Sequence, residues 1–327
     1  VKAIRLFNKF INKETQDFVG INIGNYFVKG LIVHNGVITD SFLKEKKNLP
    51  ETLKQVWQEK NISTNKVKLS LKDHSTLVRY FSFPKIDKNK IKQTLFFELN
   101  KHIPFSPEEV YFDFSILEEN PTELFLLLAI AKKEIVNSTI DIFEKEKKEI
   151  LEIGLDSIYL VNVFLNSYKE ERKINVSILD IGYGFSTLTV LKKGTPFMTR
   201  DLTFGTKDIL NILSHIKNIP LDAIDKWVSA PENHKEFLEL SQDNITALCR
   251  EVKSSFDYFE VNKGERIDKV FLTGGLSSIG GIDALFKEHF ESEVLFLDNL
   301  SNLKTAISED KFKILKNTFA VASGIVL

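Results

Sequence analysis

The feature that most narrows what this chain can fold into is a pattern that occurs twice. "VGINIGNYFVKGLIVHNG" runs from Val19 to Gly36, and "ILDIGYGFSTLTVLKKG" runs from Ile178 to Gly194. A gapless shift of 158 residues lays Gly24 on Gly182, Gly36 on Gly194 and Asn22 on Asp180. Each copy reads as strand, tight loop, strand, glycine turn, strand. In the first, "DFVGINI" leads through "GNY" to "FVKGLIVH", "NG" and "VITDSF"; Asn-Gly between two apolar strands is a strong hairpin signal. In the second, "NVSILDI" leads through "GYG" to "FSTLTVL", "KKG" and "TPFMTRDL". Two copies this far apart point to a duplicated domain, since a solenoid repeats at a much shorter period.

The sequence between and after the copies has another texture. "KVKLSLKDHSTLVRYFSFP" alternates like strand on both sides of Asp73-His74. Ile91, Leu95, Leu99 and Ile103 then recur four apart, which predicts one buried stripe of a helix ended by Pro104. "EEVYFDFSIL" and "ELFLLLAIA" read as strands. "KKEIVNSTIDIFEKEKKEILEIG" reads as a charged surface helix closed by Gly154. Ile245, Leu248, Val252, Phe256 and Phe259 share a later helix face, and "DKVFLTGGLSSIGGIDALFKEHF" reads as buried strand, glycine loop and helix.

With 327 residues, 43% hydrophobic and 27% charged, the chain can hold about two domains with a buried core. A net charge of −1 gives no global attraction to nucleic acid. No apolar run reaches the ~18 residues of a membrane span. The N-terminal "VKAIRLFNKFINKE" sets basic residues between Ile4, Phe7, Phe10 and Ile11, the spacing of a short amphipathic helix. The lone Cys249 excludes an internal disulfide, no Cys/His cluster has metal-ligand spacing, and a reducing cytoplasm fits.

A strand that ends in Asp or Asn, followed by Gly and a tight turn, aims backbone N–H groups into that turn. Such a nest attracts phosphate oxygens, and glycine lets them approach closely. Asn22, Gly24 and Asn25 make one candidate loop; Asp180, Gly182, Gly184, Ser186 and Thr187 make the other, with Asp180 able to hold a nucleotide's Mg²⁺. Either loop alone is equally an ordinary hairpin turn. Two of them suit a phosphate chain gripped from both sides. Thr273, Gly274 and Gly275 form a third glycine loop, expected to open a helix. Glu251 and Ser254, one turn apart on a helix, suit a ribose or adenine edge. Neither the dinucleotide-fold nor the Walker glycine signature occurs.

Two phosphate hairpins, a polar helix and a Gly-Gly loop, in that order, resemble the ATPase fold shared by actin, sugar kinases and large heat-shock chaperones. The intervening "FSFPKIDKNKIKQTLFFELNKHIPFSPEEVYFDFSIL" resembles the inserted subdomain of the PilM family of actin-like type IV pilus assembly proteins. Ser82-Phe83-Pro84, Glu98, Ile103-Pro104-Phe105 and Asp113-Phe114 carry that likeness. The resemblance implies an α/β protein of actin-like ATPase fold, with duplicated RNase H-like domains and a small inserted α+β subdomain. The expected organisation is a leader over 1–16, a first actin-like domain over 17–75 and 151–174 with a C-terminal helix over 311–327, the insertion over 76–150, and a second actin-like domain over 175–310.

It further implies a scaffold in the cytoplasm, peripheral at the inner membrane, that binds ATP with Mg²⁺ and the N-terminal tail of a PilN-like membrane protein. Other pilus assembly components are expected partners, nucleic acid is not, membrane contact comes mainly through the partner, and self-association is compatible with the family. Carried over by position, Asp180, Gly182, Ser186 and Thr187 would grip phosphates, Gly274 and Gly275 would underlie the nucleotide, and Glu251 and Ser254 would meet its adenosine. Lys29 matches a lysine that follows the first phosphate loop. Asn22 stands where the family has Asp, and it keeps the shape but loses a charge. Hydrolysis is therefore expected to be slow or absent, with Asn22→Asp raising it. The alternatives are a nucleotide-free scaffold like the cytoplasmic part of the type II secretion L protein, and an active ATPase or FtsA-like protein.

Overall fold

The computed structural model describes residues 17–310, 315–316 and 318–327. The expected leader over 1–16 and part of the helix expected over 311–327 lie outside the described residues. The chain divides into two compact units, one formed by residues up to Tyr159 with 303–307 and 321–327, the other by 160–302 and 308–320.

In the first unit the strands β1 (Phe18–Ile23), β2 (Phe27–His34) and β3 (Val37–Glu45) form a meander. The helix α1 (Leu49–Glu59) starts at Asn48, whose side chain accepts from the Glu51 N–H, with Pro50 in the first turn. β4 (Lys66–Leu71) returns parallel to β1. The insertion follows as β5 (Thr76–Pro84), α2 (Lys88–Glu98), β6 (Val110–Glu119) and β7 (Glu123–Lys132). α3 (Lys133–Lys145) and β8 (Glu149–Leu155) complete a sheet of order β3-β2-β1-β4-β8. α4 (Asp156–Ser167) leads onward.

The second unit repeats the plan. β9 (Val176–Ile181), β10 (Ser186–Lys192) and β11 (Thr195–Leu202) form its meander. The helices α5 (Thr206–Lys217), α6 (Leu221–Ser229) and α7 (His234–Lys263) follow. β12 (Lys269–Gly274), α8 (Ile282–Lys287) and β13 (Glu293–Phe296) give the order β11-β10-β9-β12-β13. A last helix, α9 (Ala320–Val326), belongs to the first unit's side of the division.

The duplication is exact enough to repeat its irregularities. The β2–β3 pairing bulges after Ile32, and the β10–β11 pairing bulges after Val190. Asn35 and Gly36 have φ of 49° and 73°, and Lys193 and Gly194 have 47° and 82°. Two consecutive left-handed residues are what a primed hairpin turn demands, and they match the twist of the flanking strands. β1 and β9 are buried along their whole length, as strands covered on both faces must be. Val19, Ile21 and Leu69 pack against Leu53, Val56 and Phe143 in one core. Leu179 and Leu188 pack with Ile245, Leu248, Val252 and Phe259 in the other.

The insertion is a three-stranded antiparallel sheet, β5-β7-β6. Side chains alternate along β7. Leu124, Leu126, Leu128 and Ile130 face α2 and the short 3₁₀ turn after it, where Ile91, Leu95, Leu99 and Ile103 are buried in the predicted stripe. Leu127, Ala129 and Ala131 face the other way, into the main core beside Val78 and Val136. The expected helix ending at Gly154 is corrected. α3 stops at Lys145, Lys147 turns the chain at φ 56°, and "EILEIGL" forms β8, because its apolar residues pair with β4 and close the sheet.

α9 packs on β1 through glycine. A Cβ on Gly20 would lie 2.6 Å from Val326 Cγ1, and one on Gly324 would lie 2.3 Å from the Tyr159 carbonyl oxygen. The two hairpin glycines differ in surroundings: Gly36 has open space, whereas Gly194 lies against Arg172. Gly36→Ala is expected to cost about 1–2 kcal/mol from left-handed strain alone, and Gly194→Ala at least as much. Urea unfolding of the two variants checks both values.

Candidate functional site

The two copies present the same register of polar residues, each in its own unit. In the first, Asn22 is the penultimate residue of β1 and pairs with Lys29 on β2 and Ser70 on β4. In the second, Asp180 is the penultimate residue of β9 and pairs with Thr187 on β10 and Thr273 on β12. The pairing register sets one polar residue from each of three adjacent strands side by side across the sheet.

Asn22 is buried, and its side chain has a defined task. Its Nδ2 donates to Ser70 Oγ at 2.8 Å and to both Asp156 carboxylate oxygens, at 3.1 Å and 3.0 Å. Three acceptors around one NH₂ fix the amide's orientation. Asp156 is the first residue of α4, delivered there by β8, and it too is buried. A carboxylate thus stands in hydrogen-bond contact with position 22. Sequence reading missed Asp156 and Ser70 because it carried a helix through the strand that delivers Asp156. Ser70 was hidden in plain view, on the parallel partner of β1.

The turn after Asn22 is closed by a backbone hydrogen bond. The Gly24 N–H donates to Phe27 O at 3.0 Å, and a Cβ on Gly24 would lie 2.9 Å from that oxygen. One of the expected phosphate donors is thus spent on the hairpin, while Asn25 at the tip is exposed. Lys29 is half-buried beside Asn22. Lys46 is a basic group that the sequence did not single out. Its N–H donates to Tyr26 O at 2.6 Å, and desolvation lowers its pKa against the opposing pull of Asp73.

In the second copy, Asp180 is buried beside Gly274, where an added Cβ would lie 2.8 Å from Asp180 Oδ1 and 2.4 Å from Ile181 O. Gly274, at φ 94°, lets β12 end in close contact with β9. The Ser186 hydroxyl donates to Phe204 O and the Thr187 hydroxyl to Asp201 Oδ1, both at 2.8 Å. Each hydroxyl has one proton, which here goes to that acceptor. The carbonyls of Gly182 and Tyr183 accept from the Thr206 and Lys207 N–H groups that open α5. Gly205 lets that segment press on the turn, since a Cβ there would be 2.2 Å from Tyr183 O. Gly184 is half-buried in the same turn.

Thr273 is buried and Gly275 is exposed with open space where a Cβ would be. The helix expected directly after them is a four-residue 3₁₀ turn, Gly275–Ser278, and α8 begins later. On α7, Glu251 is half-buried and Ser254 exposed; no described hydrogen bond joins either side chain to the Gly182–Phe185 turn. Among the described residues no three His, Cys, Asp or Glu side chains gather as a metal cage. A single buried carboxylate with hydroxyl neighbours in register, as at Asp180, fits Mg²⁺ held largely by phosphate oxygens and water. No helix among the described residues is long and apolar enough to cross a membrane.

Residues 15–327 match the family described as type IV pilus assembly protein PilM. The chain is similar to the cell division protein FtsA of Enterococcus faecalis, 25% identical over 224 residues, which is 59% of this chain and 49% of that protein. It thus spans about half the length of that curated relative. Among solved structures it is similar to a PilM-PilN type IV pilus biogenesis complex, with a TM-score of 0.85, 18% identity, and 96% and 98% of the two chains covered. It is also similar to MreB5 of Spiroplasma citri bound to AMPPNP, with a TM-score of 0.51, 11% identity and 95% of each chain covered. The fold is actin-like.

Asn22→Asp would set a second carboxylate about 3 Å from Asp156, where two like charges cannot both be held and one proton is retained. A carboxyl whose pKa is raised by folding contributes fully below its unfolded value and loses its contribution as pH rises through the folded value. The variant is therefore expected to match the wild type near pH 4 and to fall progressively below it towards neutrality. Thermal unfolding across that range measures it.

Proposed function

The chain belongs to the family of the type IV pilus assembly protein PilM, and from that premise we propose that it is an assembly scaffold that binds ATP with Mg²⁺ and a short tail of a PilN-like membrane protein. The match over residues 15–327 carries this reading. The PilM-PilN complex, covered over almost its whole PilM-like chain, supports the partner. The scaffold would work in the cytoplasm, peripheral at the inner membrane.

The paired strand ends support the nucleotide. Asp180 would hold Mg²⁺, and backbone N–H groups of the Gly182–Gly184 turn and of Gly275 would take phosphate oxygens. Within the first unit, Lys29 and Lys46 supply positive charge beside that unit's own turn. Mg²⁺ would draw negative charge from the phosphate chain. Turnover would be slow, because Asn22 carries no charge to order metal or water where a carboxylate would. Nucleotide then acts as a structural ligand or a slow switch.

Asp180→Ala should remove a charge-assisted contact of ~1.5–3 kcal/mol, about 10- to 100-fold in ATP affinity by calorimetry with Mg²⁺ present. Wild-type turnover should fall well below the ordinary enzyme range of ~1–10³ per second. The N-terminal peptide of a PilN-like protein from the same source should bind saturably in a separate titration. Absence of any binding by that peptide would sink the scaffold reading, whatever the nucleotide result.

A further inference from the structure

The outward face of α2 plays no part in that reading. Ile91 and Leu95 point into the insertion's core, so the opposite side of the helix presents Asn89, Lys90, Gln93, Phe96 and Phe97. Phe97 is 73% exposed and Phe96 36%. The two rings meet edge to face with centroids 5.8 Å apart, and Phe96 also stacks on Phe112 at 6.5 Å. This braces the pair outward. Between Lys88 and Lys101 there are four lysines and one acid, Glu98. Glu98 lies towards the sheet side and is bridged to Lys101 at 3.0 Å. At the other end Glu119 takes both Lys85 and Lys88, at 3.0 Å and 3.1 Å, which leaves that trio positive.

We propose that this face rests on an anionic phospholipid surface, with Phe96 and Phe97 at headgroup depth and the α2 lysines on lipid phosphates. The charge chooses the occupant. Exposed aromatics on a face with Lys90, Asn89 and Gln93, flanked by Lys88 and Lys92 and with Asp87 as the acid at the helix start, have the composition of an interfacial surface. A protein partner would favour a different composition, because the cores of protein interfaces are depleted in lysine. Two rings also offer too little apolar area for the core of a standard interface, which takes about 800 Å² from each partner. The N-terminal residues also have a basic amphipathic pattern, so the test must read α2 itself within the full chain.

The full chain is sedimented with vesicles of phosphatidylcholine alone and of phosphatidylcholine mixed with phosphatidylglycerol. Binding is expected to the anionic vesicles only, and to weaken as salt screens the lysines. Lys90→Gln and Lys92→Gln should each weaken it about fivefold, and Phe97→Ser should weaken it several-fold, with unchanged circular dichroism. Ile216→Ser, an exposed apolar position on α5, should leave it intact. Failure of the wild type to bind anionic vesicles, or equal binding by the α2 variants, overturns the proposal. So does a self-association in solution that Phe97→Ser abolishes while vesicles capture nothing; that result would assign the face to a second copy.

Discussion

A strand buried on both faces cannot carry an uncompensated charge out of water, and two such strands, β1 and β9, run through this molecule. Everything polar at their ends must be met by a neighbour. At β1 the solution is an amide that gathers Ser70 from the next strand and Asp156 from the head of a helix. At β9 it is a carboxylate among hydroxyl-bearing neighbours in register, with Gly274 pressed against it. The same backbone plan thus yields two edges of different charge distribution, one with its carboxylate on the strand and one with it displaced to a helix.

That difference also explains what could be read in advance. The repeat was legible because its turns need particular residues: left-handed backbone at the second turn position calls for Gly36 and Gly194. The α2 stripe was legible because Ile91, Leu95, Leu99 and Ile103 all go into one core. β8 was not legible. Charges precede it, its apolar residues suit helix or strand, and the turn at Lys147 uses no glycine. Asp156 was lost with it. The hydrogen-bond commitments of Gly24, Ser186 and Thr187 were equally invisible, since each depends on an acceptor supplied by folding.

The insertion is joined to the main unit through a strand with both faces buried. β7 contributes to two cores at once, Leu126 and Leu128 on one side and Leu127 and Ala129 on the other. Its dual burial ties the subdomain to the main unit, so α2 packs on a sheet whose other face belongs to the main core. A surface so mounted suits contact with something flat.

The packing of α9 on Gly20 and Tyr159 has a consequence for biosynthesis. β1 leaves the ribosome about 300 residues before the helix that covers Gly20. Contacts of such sequence separation form slowly, and the surface they will cover stays open meanwhile. The second unit, whose strands and helices lie almost wholly between Leu160 and Asn302, can fold while the first still waits for its last piece. On the ribosome the unit that holds β1 completes its packing only after the stretch between Leu160 and Asn302 has emerged.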